Sequence, residues 1–187
     1  MTGPAKHNLA KPGPRAHRLA EMLRVDHAGE YGAVAIYRGQ RAVFDRLPHK
    51  AATSALLKEM EDGEAHHLKT FDQLLATRNV RPTLLAPVWN IAGFGLGAAT
   101  ALMGEKAAMA CTAAVEDVIE KHYGEQVEEL EADEPELAET VRQFREDELG
   151  HKHTAEAAGA EEAPGYRFLS AFIRLGCHAA IRISEKV

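Results

Sequence analysis

Met60-Glu-Asp-Gly-Glu64-Ala-His-His67-Leu-Lys-Thr-Phe71 places a glutamate and a histidine three residues apart inside a pattern of helical period. Residues three apart on a helix are turned by about 300° and separated by about 4.5 Å of rise, so one ion can be gripped by both side chains. Glu64 and His67 share their side with Leu57, Met60, Leu68, Phe71 and Leu75, a stripe expected to be buried. A carboxylate in such a stripe is costly unless it is paired, protonated or bound to a cation. Glu59, Glu61 and Asp62 fall mostly on the wet side.

The spacing recurs at Glu148-Leu-Gly-His151, on a face with Val141, Phe144 and Ala155. Helical bundles that hold two metals add one glutamate from each of two further helices, giving four Glu and two His pointing inward. Upstream of the first pair, Glu30 lies on an apolar face with Leu23, Val34 and Tyr37. Upstream of the second, Glu116 follows the apolar run Ala107 to Val115 and shares a face with Met109, Ile119 and Tyr123. Glu30 precedes Glu64 by 34 residues and Glu116 precedes Glu148 by 32, so the chain reads as two similar halves. Glu120 would shorten the second interval to 28, and Asp117 would face Lys121 and Gly124, so Glu116 is preferred.

The reading is therefore an all-α fold: a four-helix bundle with an apolar crossover and an additional C-terminal helix. Helices are expected from about Leu19 to Leu47, Ala51 to Thr77, Glu105 to Ala132 and Pro135 to Ala158, with a last amphipathic helix at 166–184. The domain spans 17–187, and residues 1–16, rich in Gly, Pro and cations, read as a flexible basic tail rather than a remnant transit peptide. Gly29 and Gly32 flank Glu30 as weak points that also permit close helix packing. The crossover, 82–104, contains no charged residue from Leu84 to Gly104. It is long enough to span a bilayer, but Pro87 and four glycines predict an irregular helix. It is expected to be a buried connection, or one that reaches a membrane interface through Trp89, Phe94 and Leu96.

A chain of 187 residues with formal charge −6 is one domain and, in bulk, not a nucleic-acid binder. Cys111 and Cys177 need not pair. His66 and His153 are expected to face solvent, and Arg167, Arg174 and Arg182 to form a solvated basic stripe or a contact with anionic lipid. Asp147 is placed to hydrogen-bond the outer nitrogen of a ligand histidine, and His122 and Tyr123, beyond Glu116, to support the site by hydrogen bonding or electron delivery. Four carboxylates balance two divalent ions. The ligand set alone leaves iron and manganese open.

The runs Arg24-Val-Asp-His-Ala-Gly-Glu-Tyr-Gly-Ala33, Pro87-Val-Trp-Asn-Ile-Ala-Gly-Phe94 and Ala108-Met-Ala-Cys-Thr112, with the two Glu-x-x-His pairs, resemble the demethoxyubiquinone hydroxylase family, within the ferritin-like di-iron proteins. The resemblance covers nearly everything from residue 19 onward. It implies two iron ions held by Glu30, Glu64, His67, Glu116, Glu148 and His151, with Glu64 and Glu148 bridging them. It also implies a monooxygenase that inserts one atom of dioxygen into the ring of a polyprenyl demethoxyubiquinol, with NADH or the quinol itself as reductant. Partners would be the polyprenyl quinone, dioxygen and a membrane surface, met at a greasy entrance to the iron site formed by Leu84 to Gly104 and the final helix, with Trp89, Phe94 and Leu96 facing substrate or membrane, together with a second copy of the chain or a lipid-binding protein. The short N-terminus points to a bacterial type, peripheral on the cytoplasmic face of the inner membrane. Two other readings stand beside it: a ferritin- or rubrerythrin-like protein that oxidises iron, and a non-catalytic quinone- or lipid-binding scaffold.

Overall fold

The computed structural model describes residues 14–187, and these are helical almost throughout. The expected tail lies outside the described residues up to position 13, but 14–16 belong to the first helix, α1 (Pro14–Phe44). Proline at a helix start costs nothing, since its missing N–H would be unpaired there in any case. A short turn leads to α2 (Ala51–Arg78), which ends at Asn79 in the left-handed conformation, φ 54°. Next come α3 (Ala86–Leu102), α4 (Glu105–Leu130), α5 (Pro135–Ala157) and α6 (Tyr166–Ser184). Gly104 and Gly165, at φ 119° and 70°, precede α4 and α6 in a conformation that side chains other than glycine rarely adopt.

The bundle is made of α1, α2, α4 and α5, with α1 packed on α2 and α4 on α5. Its interior is two apolar clusters separated by a polar layer. One gathers Phe44, Leu57, Met60, Met109 and Ala155, the other Leu23, Phe71, Leu75, Leu137, Val141 and Phe144. Burial of this kind contributes about 25 cal/mol per Å² of apolar surface. Such packing is what allows ionisable groups to be held between the clusters.

The crossover differs from expectation. Pro87 and the glycines do not interrupt α3, because Pro87 sits in its first turn and Gly93 and Gly97 face α1. A Cβ at Gly93 would approach the Gly32 carbonyl oxygen at 2.7 Å, and one at Gly97 would lie 2.8 Å from the Ile36 carbonyl carbon. Gly39 on α1 meets the α3 backbone in the same way. These pairings advance together, so α3 runs parallel to α1, nearly backbone to backbone. Nor is α3 a buried connection: Val88, Ile91, Phe94 and Leu102 are exposed along its outer side, as is Leu84 in the turn before it. No helix among the described residues is long and apolar enough to cross a membrane.

The sixth helix lies on α4 and also touches α1. Ile173 is buried, whereas Phe168, Phe172 and Leu175 are exposed. The expected stripe of free arginines is broken, because Arg174 lies 3.0 Å from Asp117. Lys121 and Lys152 reach the same carboxylate. Burial raises the Asp117 pKa, but the two lysines more than offset it and hold it at about 2. Cys111 and Cys177 are free thiols.

Candidate metal centre

Glu30 comes from α1, Glu64 and His67 from α2, Glu116 from α4, and Glu148 and His151 from α5. All four carboxylates are almost fully buried, as is His67, while His151 keeps 16% of its side chain exposed. The six side chains form two overlapping groups. Glu30, Glu64, His67 and Glu148 offer ligand atoms within 4.8 Å of one another, and so do Glu64, Glu116, Glu148 and His151. Glu64 and Glu148 belong to both groups, which is the arrangement two bridging carboxylates require.

Both imidazoles turn Nδ1 inward. His67 Nδ1 lies 3.1 Å from Glu148, 3.7 Å from Glu30 and 3.7 Å from Glu64. His151 Nδ1 lies 2.9 Å from Glu64 and 3.5 Å from Glu148. Burial lowers the pKa of each imidazole, but the surrounding carboxylates dominate: His151 is pushed up to about 10 and His67 is raised further. Burial raises Glu30 and Glu116 well above the usual carboxylate range. Glu64, also raised by burial, is brought down to about 2 by His151 and His67.

Several inward atoms have no hydrogen-bond partner: Glu30 Oε2, both oxygens of Glu64, Glu116 Oε2, Glu148 Oε2 and His151 Nδ1. Buried polar atoms are paired in nearly all proteins. A concentration of orphaned carboxylate oxygens and imidazole nitrogens fits hard or borderline divalent cations of the iron, manganese and zinc kind.

Two tyrosines complete the layer. Tyr37 donates to Glu116 at 2.7 Å and Tyr123 donates to Glu30. Each stands seven residues after a glutamate of its own helix, Tyr37 after Glu30 and Tyr123 after Glu116, yet each bonds the glutamate of the other half. Burial raises both phenols well above 10, so they remain protonated donors. The repeated Glu-x₆-Tyr spacing was the signal that could have identified Tyr37. Reading Tyr37 only as an apolar neighbour missed it.

The other expected contributors are spread more widely. Asp147 reaches His67 Nε2 at 3.1 Å. His122 turns away from the cluster to Asp26, 3.2 Å distant, and Gln126 donates to the same aspartate at 2.7 Å. Asp26, buried on α1, went unnoticed in the sequence because one aspartate among polar neighbours carries no spacing signal. Glu120 pairs with Arg145 at 2.7 Å rather than joining the cluster. His66 and His153 are exposed. Trp89 and Leu96 line a cavity of about 330 Å³ between α1, α3, α4 and α6, while Phe94 faces outward. The lining of the cavity includes Ala33 and Ile119, each one helical turn beyond a clustered glutamate, Glu30 and Glu116 respectively.

Four helices delivering four glutamates and two Glu-x-x-His histidines to one buried layer define the ferritin-like class of di-metal carboxylate bundles. Residues 17–184 match the family described as ubiquinone biosynthesis protein COQ7, and the chain belongs to that family. A Rhodospirillum rubrum protein named 3-demethoxyubiquinol 3-hydroxylase is 49% identical over 176 residues, covering 94% of this chain and 81% of the relative. The mouse mitochondrial protein named NADPH-dependent 3-demethoxyubiquinone 3-hydroxylase is 47% identical, covering 88% and 76%. The yeast mitochondrial 5-demethoxyubiquinone hydroxylase is 40% identical, covering 90% and 78%.

Proposed function

We propose that this chain is a di-iron monooxygenase that hydroxylates the ring of a polyprenyl demethoxyubiquinol in ubiquinone biosynthesis. The observation that carries the reading is the pair of overlapping clusters sharing Glu64 and Glu148. Glu30 and His67 would complete one iron position, Glu116 and His151 the other. When bound, the two ferrous ions supply the activation of dioxygen. The balance is one ring C–H, one O₂, two electrons and two protons giving one ring C–OH and one water. A nicotinamide such as NADH, or the quinol itself, provides the electrons.

The protein's own residues do the rest. Tyr37 and Tyr123 hold Glu116 and Glu30 in fixed orientations. Asp147 accepts from His67 Nε2 and so directs the Nδ1 lone pair inward. The cavity is lined almost entirely by apolar side chains and glycine, which suits a prenylated ring and excludes water from its surroundings. The outward apolar rows of α3 and α6 flank this cavity. They would rest on the bilayer where such a quinone resides, peripherally on the cytoplasmic face of a bacterial inner membrane.

The test is anaerobic iron loading followed by labelled dioxygen and a short-chain demethoxyubiquinol, with mass analysis of the quinol. One labelled oxygen in the product, absent with Glu64→Ala or Glu148→Ala, is the expected result. Oxidation of iron with the quinol unchanged would favour an iron-oxidising protein instead.

A further inference from the structure

The two halves of the cluster supply the same donors by kind: each has one glutamate of its own, one histidine and the two shared glutamates. Each terminal glutamate also receives one tyrosine hydroxyl. The residue immediately before each Glu-x-x-His motif breaks this equivalence. It is Asp147 in the second half and Gly63 in the first.

Both positions look across the bundle at the other half's histidine. The Asp147 carboxylate lies 3.1 Å from His67 Nε2. A Cβ at Gly63 would lie 3.2 Å from both Cε1 and Nε2 of His151, so Gly63 occupies the matching place without a carboxylate to offer. Among the described residues no acidic group pairs with His151 Nε2. His151 is also the more open of the two, 16% exposed against 1% for His67.

We infer that the two metal positions are unequal by construction: the one completed by Glu30 and His67 binds metal tightly, and the one completed by Glu116 and His151 is labile. This rests on the di-metal reading. An imidazole whose outer N–H is held by a carboxylate is locked in the ligating tautomer and made more basic, and losing such a partner typically costs ten- to a hundredfold in metal affinity. Asp147 is 43% exposed, so solvent weakens its effect, and about tenfold is the expected separation. The labile position is then the one that empties first and governs how much of the protein carries a full pair.

The experiment is an anaerobic titration of the metal-free full chain with Co(II), followed by visible absorption in competition with a chelator. Circular dichroism of each variant confirms that it folds. Wild type should fill in two steps separated by about tenfold. Asp147→Asn should lower the tight step by about tenfold and leave the weak one unchanged. Gly63→Asp, which puts a carboxylate against His151, should raise the weak step, while Gly63→Ala should not. A single constant for both equivalents in wild type, or an Asp147→Asn change confined to the weaker step, would overturn the assignment of unequal positions. Absence of any Co(II) binding by wild type would instead remove the di-metal reading beneath it.

Discussion

Replacing Gly97 by alanine tests the close seating of α3 on α1, with Gly95→Ala on the same helix as its control. At Gly97 the new methyl would lie 2.8 Å from the Ile36 carbonyl carbon and 3.0 Å from its Cα. Carbon atoms in good contact stand about 3.5–4.0 Å apart, so α3 must withdraw by roughly 1 Å. Overpacking of this kind costs about 1–3 kcal/mol, and the obstacle here is backbone, which cannot rotate aside. The higher helix propensity of alanine returns about 1 kcal/mol of that. At Gly95 nothing lies within 4 Å of the added methyl, so only the propensity gain applies. The propensity gain is common to both, so the two variants should differ by about 1–3 kcal/mol, or about 2–12 °C in melting temperature for a chain of this size. The assay is thermal melting by circular dichroism in the presence of chelator, which keeps metal binding out of the comparison. Gly97→Ala melting at or above Gly95→Ala would refute the packing argument. Because α3 forms one wall of the cavity, Gly97→Ala should also alter quinone binding where Gly95→Ala does not.

Two further outcomes follow from the site and its surroundings. In metal-free protein His151, pushed up to about 10, and His67, raised further, are protonated partners for the buried carboxylates. A raised folded-state pKa contributes stability that is fully present below the unfolded value of about 6.5 and is lost as pH rises through the folded value. The metal-free melting temperature should thus fall between about pH 7 and 10, while the metal-loaded protein, whose imidazoles carry no such proton, stays flatter; parallel profiles would contradict this origin of the charge balance. On the outer surface, Phe94→Glu on α3 and Phe168→Glu on α6 should each lower co-sedimentation with lipid vesicles by tenfold or more, since a buried phenylalanine contributes about 1.5–3 kcal/mol. Vesicle binding unchanged in both would rule out these faces as the membrane contact.

The bundle was legible because its signals are periodic. Leu57, Met60, Phe71 and Leu75 mark a helix face in the sequence and are buried in the structure. Glu30, Glu64, Glu116 and Glu148 stood out because burial makes a carboxylate improbable in such a face, and the structure brings all four together with His67 and His151. The crossover was misjudged because glycine content was counted without asking which way the glycines face: Gly93 and Gly97 lie on one side and permit close contact rather than irregularity. Trp89 and Leu96, expected to face substrate or membrane, line the cavity, and a hydrophobic run by itself does not reveal which of its sides a neighbouring helix will cover. Arg174 and Asp117, 57 residues apart, share no pattern that would announce their pairing.

The tyrosine exchange, with Tyr37 on α1 reaching Glu116 on α4 and Tyr123 on α4 reaching Glu30 on α1, has the symmetry of two identical hairpins that complete each other. A dimer of one such hairpin would rebuild the whole layer, but it would give both histidines the same outer neighbour, an aspartate at each or a glycine at each. One covalent chain is free of that constraint. Joining the halves is what allows Asp147 and Gly63 to differ, so that a centre symmetric in its donors can be handed in its chemistry.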